Sequence, residues 1–194
     1  MRPRIITILV LAVCLFVAYT AYLFSNHPQD KKLPVLGQVN NFQLFDENGD
    51  EFALRQLHGK IWIANFFFTT CADICPVMSK NMAALHRSYN LIEDVWHVSI
   101  TVNPEYDSAG VLKNYAKTFN ADTSKWHFLT GPRAQITELA VKSFKLGSIE
   151  EPVFHSAKFA LVDRRGLIRG YYDGVQPGEV SQLFKDISVL LKEK

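Results

Sequence analysis

Cysteine is scarce in this chain: 194 residues carry three, at positions 14, 71 and 75. So few thiols exclude the disulfide framework of a small secreted scaffold and leave a reactive or ligating role for the closely spaced pair. An excess of charge is missing too. Lys and Arg number 21 against 19 Asp and Glu, and Arg2 and Arg4 alone make up the difference. A neutral body with no Lys/Arg cluster interleaved with aromatics gives a polyanion nothing to hold, which excludes nucleic acid as a partner. Internal repeats and low-complexity tracts are absent. What remains is one domain of ordinary size, with 48% hydrophobic residues to build its core.

Residues 5–24 form one long apolar run, twenty residues without a charge, Pro, Gly, Asn or Gln. A helix of that length crosses a hydrocarbon layer of about 30 Å, and Tyr19 and Tyr22 suit its interface. The run exceeds the apolar part of a signal peptide and no small-x-small site follows it, so residues 1–24 are expected to be a retained membrane anchor. Arg2 and Arg4 before the span place the N-terminus in the cytoplasm and the rest on the far side. Cys14 follows Ala12-Val13, without the small residue a lipidation site needs just before the cysteine, and reads as an apolar-tolerant cysteine within that helix. Residues 25–40, polar and carrying Pro28 and Pro34, read as a tether, which leaves 41–194 as the domain.

From Phe42 the pattern turns to two short strands around Asn48-Gly49, a β-hairpin signal. The apolar strand from Ile61 follows, then a helix with Met78, Met82, Leu85 and Tyr89 on one face. Val95–Val102 is a strand in which Trp96, Val98 and Ile100 alternate with His97 and Ser99. A helix through Val111–Phe119, a short strand at Trp126–Leu129 and a helix through Ile136–Phe144 come next. Strands at Ala157–Val162 and Leu167–Tyr172 then flank a turn, and a last helix starts at Pro177. This order fits an α/β domain of the thioredoxin-like type with an N-terminal hairpin, helices covering both faces of a central sheet.

The stretch Ile61–Met82 carries the chemistry. A buried strand delivers Cys71 and Cys75 to a helix start, where free backbone N–H groups and the positive end of the helix dipole favour the thiolate. The thiolate is both the nucleophile and the metal ligand, and an offset of four brings two side chains to the same side of one turn. Of six histidines, His27, His58, His86, His97 and His127 read as surface or satisfied residues. His155 differs. It leads into the strand from Ala157, expected beside the cysteine-bearing strand, so its loop faces the dithiol. Two thiolates and an imidazole suit Cu(I) or Zn, and on this chemistry copper, zinc and pure thiol exchange all stay open. Asp73 reads as a solvated loop carboxylate, and Met78 and Met82, at regular helical spacing, as core.

Phe68-Thr69-Thr70-Cys71-Ala72-Asp73-Ile74-Cys75-Pro76, followed by Phe154-His155-Ser156 and Phe159-Ala160-Leu161-Val162-Asp163-Arg164-Arg165-Gly166, resembles the Sco/SenC family of copper-delivery proteins. The resemblance runs from about Phe42 to the C-terminus. It implies a thioredoxin-like fold binding one copper, Cu(I) or Cu(II), through Cys71, Cys75 and His155, for the binuclear copper centre of cytochrome c oxidase. It also implies a copper-accepting oxidase subunit or another copper protein as partner, thiol–disulfide partners, and a place on a bacterial inner membrane with the domain in the periplasm. Two positions depart from the family pattern: Ala72 stands where Pro usually follows the first cysteine, and Asn103-Pro104 where Asp-Pro is frequent. The expected role is that of a metallochaperone whose dithiol is redox-active. The rival is an extracytoplasmic thiol–disulfide oxidoreductase in which Cys71 attacks and Cys75 resolves, and a peroxiredoxin-like peroxidase is a third reading of Phe68-Thr69-Thr70-Cys71.

Overall fold

The computed structural model describes residues 11–20, 32–147 and 156–193, and the chain divides into two compact units, residues 1–32 and 33–194. In the first, residues 11–20 are helical and leave Leu11, Val13, Leu15, Phe16 and Val17 exposed. Among the described residues no helix is long and apolar enough to cross a membrane. The remainder of the expected anchor, 1–10 and 21–24, and the first part of the expected tether, 25–31, lie outside the described residues.

The second unit is built on a six-stranded sheet ordered β1-β8-β7-β4-β5-β6, with a separate β2-β3 hairpin. Its strands are β1 (Gly37–Gln38), β2 (Gln43–Phe45), β3 (Glu51–Ala53), β4 (Ile61–Phe67), β5 (Val95–Thr101), β6 (Trp126–Leu129), β7 (Lys158–Val162) and β8 (Leu167–Asp173). Helix α1 (Ile74–Tyr89) joins β4 to β5 and α2 (Ala109–Thr118) joins β5 to β6. Then α3 (Arg133–Glu138), continued by a π turn at Leu139–Ser143, and α4 (Pro177–Lys192) complete the unit. β4 pairs in parallel with β5 and antiparallel with β7. Being central, it is buried at every position, and its alternation divides two cores. Ile61, Ile63 and Phe67 pack with Met78, Met82 and Leu85 of α1, Leu112 of α2, and Leu183 and Ile187 of α4. Trp62, Ala64 and Phe66 pack on the other face with Leu44 and Phe52 of the hairpin and Ile136 and Leu139 of α3 and its extension. The hairpin turns through Gly49, whose φ of 86° favours glycine.

The C-terminal part of the expected tether belongs instead to this unit. Leu33 and Val39 are buried, and β1 pairs with β8 through Gly37 and Ile168. What holds this segment is a buried cation that composition could not single out. The Arg169 guanidinium, 4% exposed, donates to the carbonyls of Leu33 (2.6 Å) and Pro34 (3.0 Å). It also donates to the carboxylates of Asp163 (2.9 Å) and Glu193 (2.9 and 3.2 Å). One side chain thus joins the first and last residues of the body.

His97, on the polar side of its strand and expected to be a surface or satisfied residue, is fully buried. β5 lies between β4 and β6 in a parallel arrangement covered on both sides, where alternation no longer separates inside from outside. Its ring stands edge-on to His86 at 5.2 Å and against Trp126 at 6.3 Å, and neither ring nitrogen has a hydrogen-bond partner among the described residues. Burial, reinforced by the neighbouring His86, pulls its pKa down to about 3. Burial likewise lowers that of His86. The folded state therefore keeps His97 neutral at pH values where the unfolded chain protonates it. Stability from this source is complete above the ordinary imidazole value of about 6.5 and is lost as pH falls from there toward 3. Urea unfolding should give a lower midpoint at pH 4.5 than at pH 7, with a smaller drop for His97→Leu than for the wild type; equal drops would remove His97 from this account.

Candidate dithiol and metal site

The chain leaves the end of β4 at Phe68, turns through Thr69 and Thr70, and enters α1 at Ile74. Cys71 sits in the turn, half-buried, and Cys75 in the first turn of the helix, 4% exposed, both as free thiols. The offset of four predicts one shared helical turn, whereas Cys71 lies before the helix and Cys75 within it, the two thiols within hydrogen-bonding reach of each other. The N–H of Cys71 donates to the Phe68 carbonyl at 3.3 Å. Asp73 occupies the N-cap position, yet its side chain makes no capping hydrogen bond.

Local electrostatics make the two sulfurs unlike. Burial opposes a charge on Cys71, but hydrogen bonds from the Cys75 thiol and from the backbone at Cys75, Asp73 and Ile74 outweigh it and hold its pKa below that of an ordinary thiol. These are the unsatisfied N–H groups that every helix start presents. Cys75 goes the other way. Burial first, then the interaction with Cys71 and the Asp107 charge, push it up to about 12, against a partial offset from a hydrogen bond with the Phe68 backbone. Of the two, Cys71 is the sulfur more readily ionised and Cys75 the one that holds its proton.

Two residues that sequence reasoning passed over stand around the pair. Asp107, in the loop between β5 and α2, is completely buried and receives hydrogen bonds from the turn that leads to Cys71. Tyr115 of α2 packs its ring 5.1 Å from Phe67 and shares a hydrogen bond of 2.8 Å with Ser79. Burial first, with the nearby thiols and Asp107 adding, raises its phenol to about 12. Neither residue carries a spacing signal linking it to the cysteines. Met78 and Met82 are fully buried in the first core, as their helical spacing indicated.

His58 is exposed, and His27 and His155 lie outside the described residues. The strand that His155 precedes does lie where expected. β7 pairs antiparallel with β4, Phe159 opposite Asn65 and Val162 opposite Trp62, so its first residues come alongside the end of β4 from which the thiols hang. Elsewhere the side chains of Asp46, Glu47 and His127 bring ligand-type atoms within 4.8 Å of one another, but the acids are already spent. Asp46 accepts the N–H groups of Asn48 (2.8 Å) and Asp50 (3.0 Å), and Glu47 accepts those of the Phe128 backbone (3.0 Å) and the Asn48 amide (3.2 Å). The His127 ring lies 4.5 Å from Phe52 and 5.2 Å from Trp96. This group ties the hairpin to β6.

A model of the SCO1/SenC family matches residues 34–192. The chain belongs to that family. Within SCO1/SenC it is similar to the SCO1 protein homolog of Bacillus subtilis (strain 168), 33% identical over 165 residues covering 82% of this chain and 86% of the relative. Among solved structures it resembles BsSco, described as having a disulfide switch and as a member of the Sco family of cytochrome c oxidase assembly proteins. That match has a TM-score of 0.73 at 31% identity, over 84% of this chain and all of the other. It also resembles ScoI of Arabidopsis thaliana with copper bound, with a TM-score of 0.67 at 26% identity, over 82% and 99% of the two chains. The architecture is accordingly the thioredoxin-like mixed α/β fold of the SCO1/SenC proteins.

Proposed function

We propose that this protein is a membrane-anchored copper metallochaperone. It takes up one copper ion through the thiolates of Cys71 and Cys75 and the imidazole of His155, and passes it on for the binuclear copper centre of cytochrome c oxidase. The observation that carries the reading is a reduced dithiol with one activated sulfur at a helix start, in a chain whose family includes a copper-bound structure. Soft sulfur donors with one nitrogen suit Cu(I), and a further ligand such as water would accommodate Cu(II). His155 is three residues from Lys158, the first residue of a strand that runs beside β4, which supports its reaching the sulfurs. Residues 1–24 serve as the anchor in a bacterial inner membrane, with the domain in the periplasm.

A second reading, thiol–disulfide exchange, is favoured by the inequality of the two thiols, since an activated attacking sulfur beside a protonated resolving one is what such exchange requires. The two readings diverge at His155. Titration of the reduced protein with Cu(I), without oxygen and against a competing chelator, should reach one copper per chain. His155→Ala should weaken the affinity by about tenfold or more, each tenfold being about 1.4 kcal/mol, while exchange with glutathione disulfide continues at nearly the wild-type rate. Failure of the reduced wild type to compete for Cu(I) would leave only the exchange reading.

A further inference from the structure

We propose that Asp107 is the positioning residue of the dithiol, a buried carboxylate that fastens the turn carrying Cys71 to the end of β5 and so sets how the two sulfurs face each other. The inference rests on the reading of Cys71 and Cys75 as copper ligands. Asp107 has no exposed surface. Its Oδ1 accepts the Thr69 hydroxyl, and its Oδ2 accepts both the Thr69 N–H at 3.1 Å and the Thr101 hydroxyl at 2.5 Å. Thr69 lies two residues before Cys71, so the turn is held at its root by backbone and side chain together. The carboxylate is itself fixed. Its own N–H donates to the Asn103 carbonyl at 2.9 Å, and Thr101 accepts the Asn103 N–H at 3.0 Å. The Val102 N–H continues the β4–β5 ladder onto Phe67 at 2.8 Å. Burying a carboxylate is expensive unless hydrogen bonds repay it. Here all three donors come from the dithiol turn and the strand end beside it.

Charge and clamp act in opposite directions on the metal. A negative charge close to two thiolates opposes their ionisation, so removing it should tighten copper binding. Releasing the turn loosens the preset arrangement of the sulfurs and should weaken binding. Asp107→Asn removes both the charge and one of the two acceptor atoms, because an amide nitrogen cannot accept from Thr69 or Thr101. Thr69→Val removes one clamping hydroxyl and leaves the charge in place. The test measures two quantities for the wild type, both single variants and the double variant. One is Cu(I) affinity by competition. The other is the equilibrium in which glutathione disulfide takes two electrons and two protons from the dithiol, giving the Cys71–Cys75 disulfide and two glutathione thiols.

Each single variant should bind Cu(I) about tenfold more weakly, and the double variant little worse than Asp107→Asn alone, because the two changes remove one shared interaction. Thr69→Val should also shift the glutathione equilibrium toward the dithiol by a similar factor. Unchanged copper binding in Thr69→Val, which keeps the charge, overturns the clamp, as do independent, additive losses in the double variant. If Asp107→Asn does not fold, Thr69→Val decides alone: wild-type values for both quantities overturn the proposal. A wild type that fails to take Cu(I) sinks the chaperone reading instead, and the glutathione equilibrium then still tests the clamp.

Discussion

Cys71→Ala should abolish retention of Cu(I) against a competing chelator and, with it, formation of the Cys71–Cys75 disulfide by glutathione disulfide. A structural zinc site with four ligands is worth about 10–16 kcal/mol, so one thiolate carries roughly a quarter of such a sum. Its removal corresponds to a loss on the order of a hundredfold to a thousandfold. The inequality of the thiols makes this variant more informative than its counterpart. Cys71 is the sulfur that hydrogen bonds hold ready as a thiolate, while Cys75 is buried and keeps its proton at neutral pH. In a Cys14→Ser background, since Cys14 is an exposed thiol of its own, alkylation by iodoacetamide should therefore be fast with both Cys71 and Cys75 present and slow once Cys71→Ala leaves Cys75 alone. Rapid alkylation of that remaining thiol would overturn the assignment of Cys71 as the more readily ionised sulfur. A Cys71→Ala protein that still holds copper at wild-type affinity would remove the dithiol from the metal site.

Arg169→Leu should destabilise the body strongly. The guanidinium is 4% exposed and its removal orphans several groups at once: the carbonyls of Leu33 and Pro34 and the carboxylates of Asp163 and Glu193. Asp163 is itself 6% exposed and loses its buried partner, keeping the turn N–H groups of Arg165 and Leu167 and the solvent-exposed Arg165 guanidinium at 3.6 Å. Stripping one partner from a buried pair costs about 3–5 kcal/mol, because the charge left behind has lost both its partner and its water. For a unit of this size that is on the order of a 10 °C fall in melting temperature. Arg169→Lys should recover only part of it, since an ammonium cannot span acceptors that a planar fork reaches together. Calorimetry of the two variants checks this, and a fall of only a degree or two for Arg169→Leu would mean that the ion pairs contribute nothing net.

Much of the architecture was legible because it rests on local signals. The Asn48-Gly49 turn, the apolar run of β4, the one-sided helix after it and the pair of strands around Gly166 all lie where periodicity and turn chemistry put them. Legibility failed where the fold overrides the local pattern. His97 alternates correctly with Trp96 and Val98, yet both faces of its strand are covered, so the polar side of the pattern is as dry as the other. Residues 33–40 carry a proline and no helical or strand period, so they read as tether, and what binds them to the sheet, the Arg169 guanidinium and the backbone of β8, lies more than a hundred residues away. The cysteines were visible as a spaced pair, whereas Asp107 was not, because its link to them runs through Thr69 and exists only once β4 and β5 lie side by side.

The meeting of chain ends at Arg169 has a practical bearing. Ile168 neighbours Val162, which neighbours Trp62 near the beginning of β4, whereas Cys71 follows the other end of that strand. Five residues at about 3.3 Å each separate Trp62 from Phe67. A fluorophore or surface linker attached at Leu33 or Glu193 would therefore stand at the rim away from the sulfurs, which leaves that end of the sheet open to labelling without touching the dithiol.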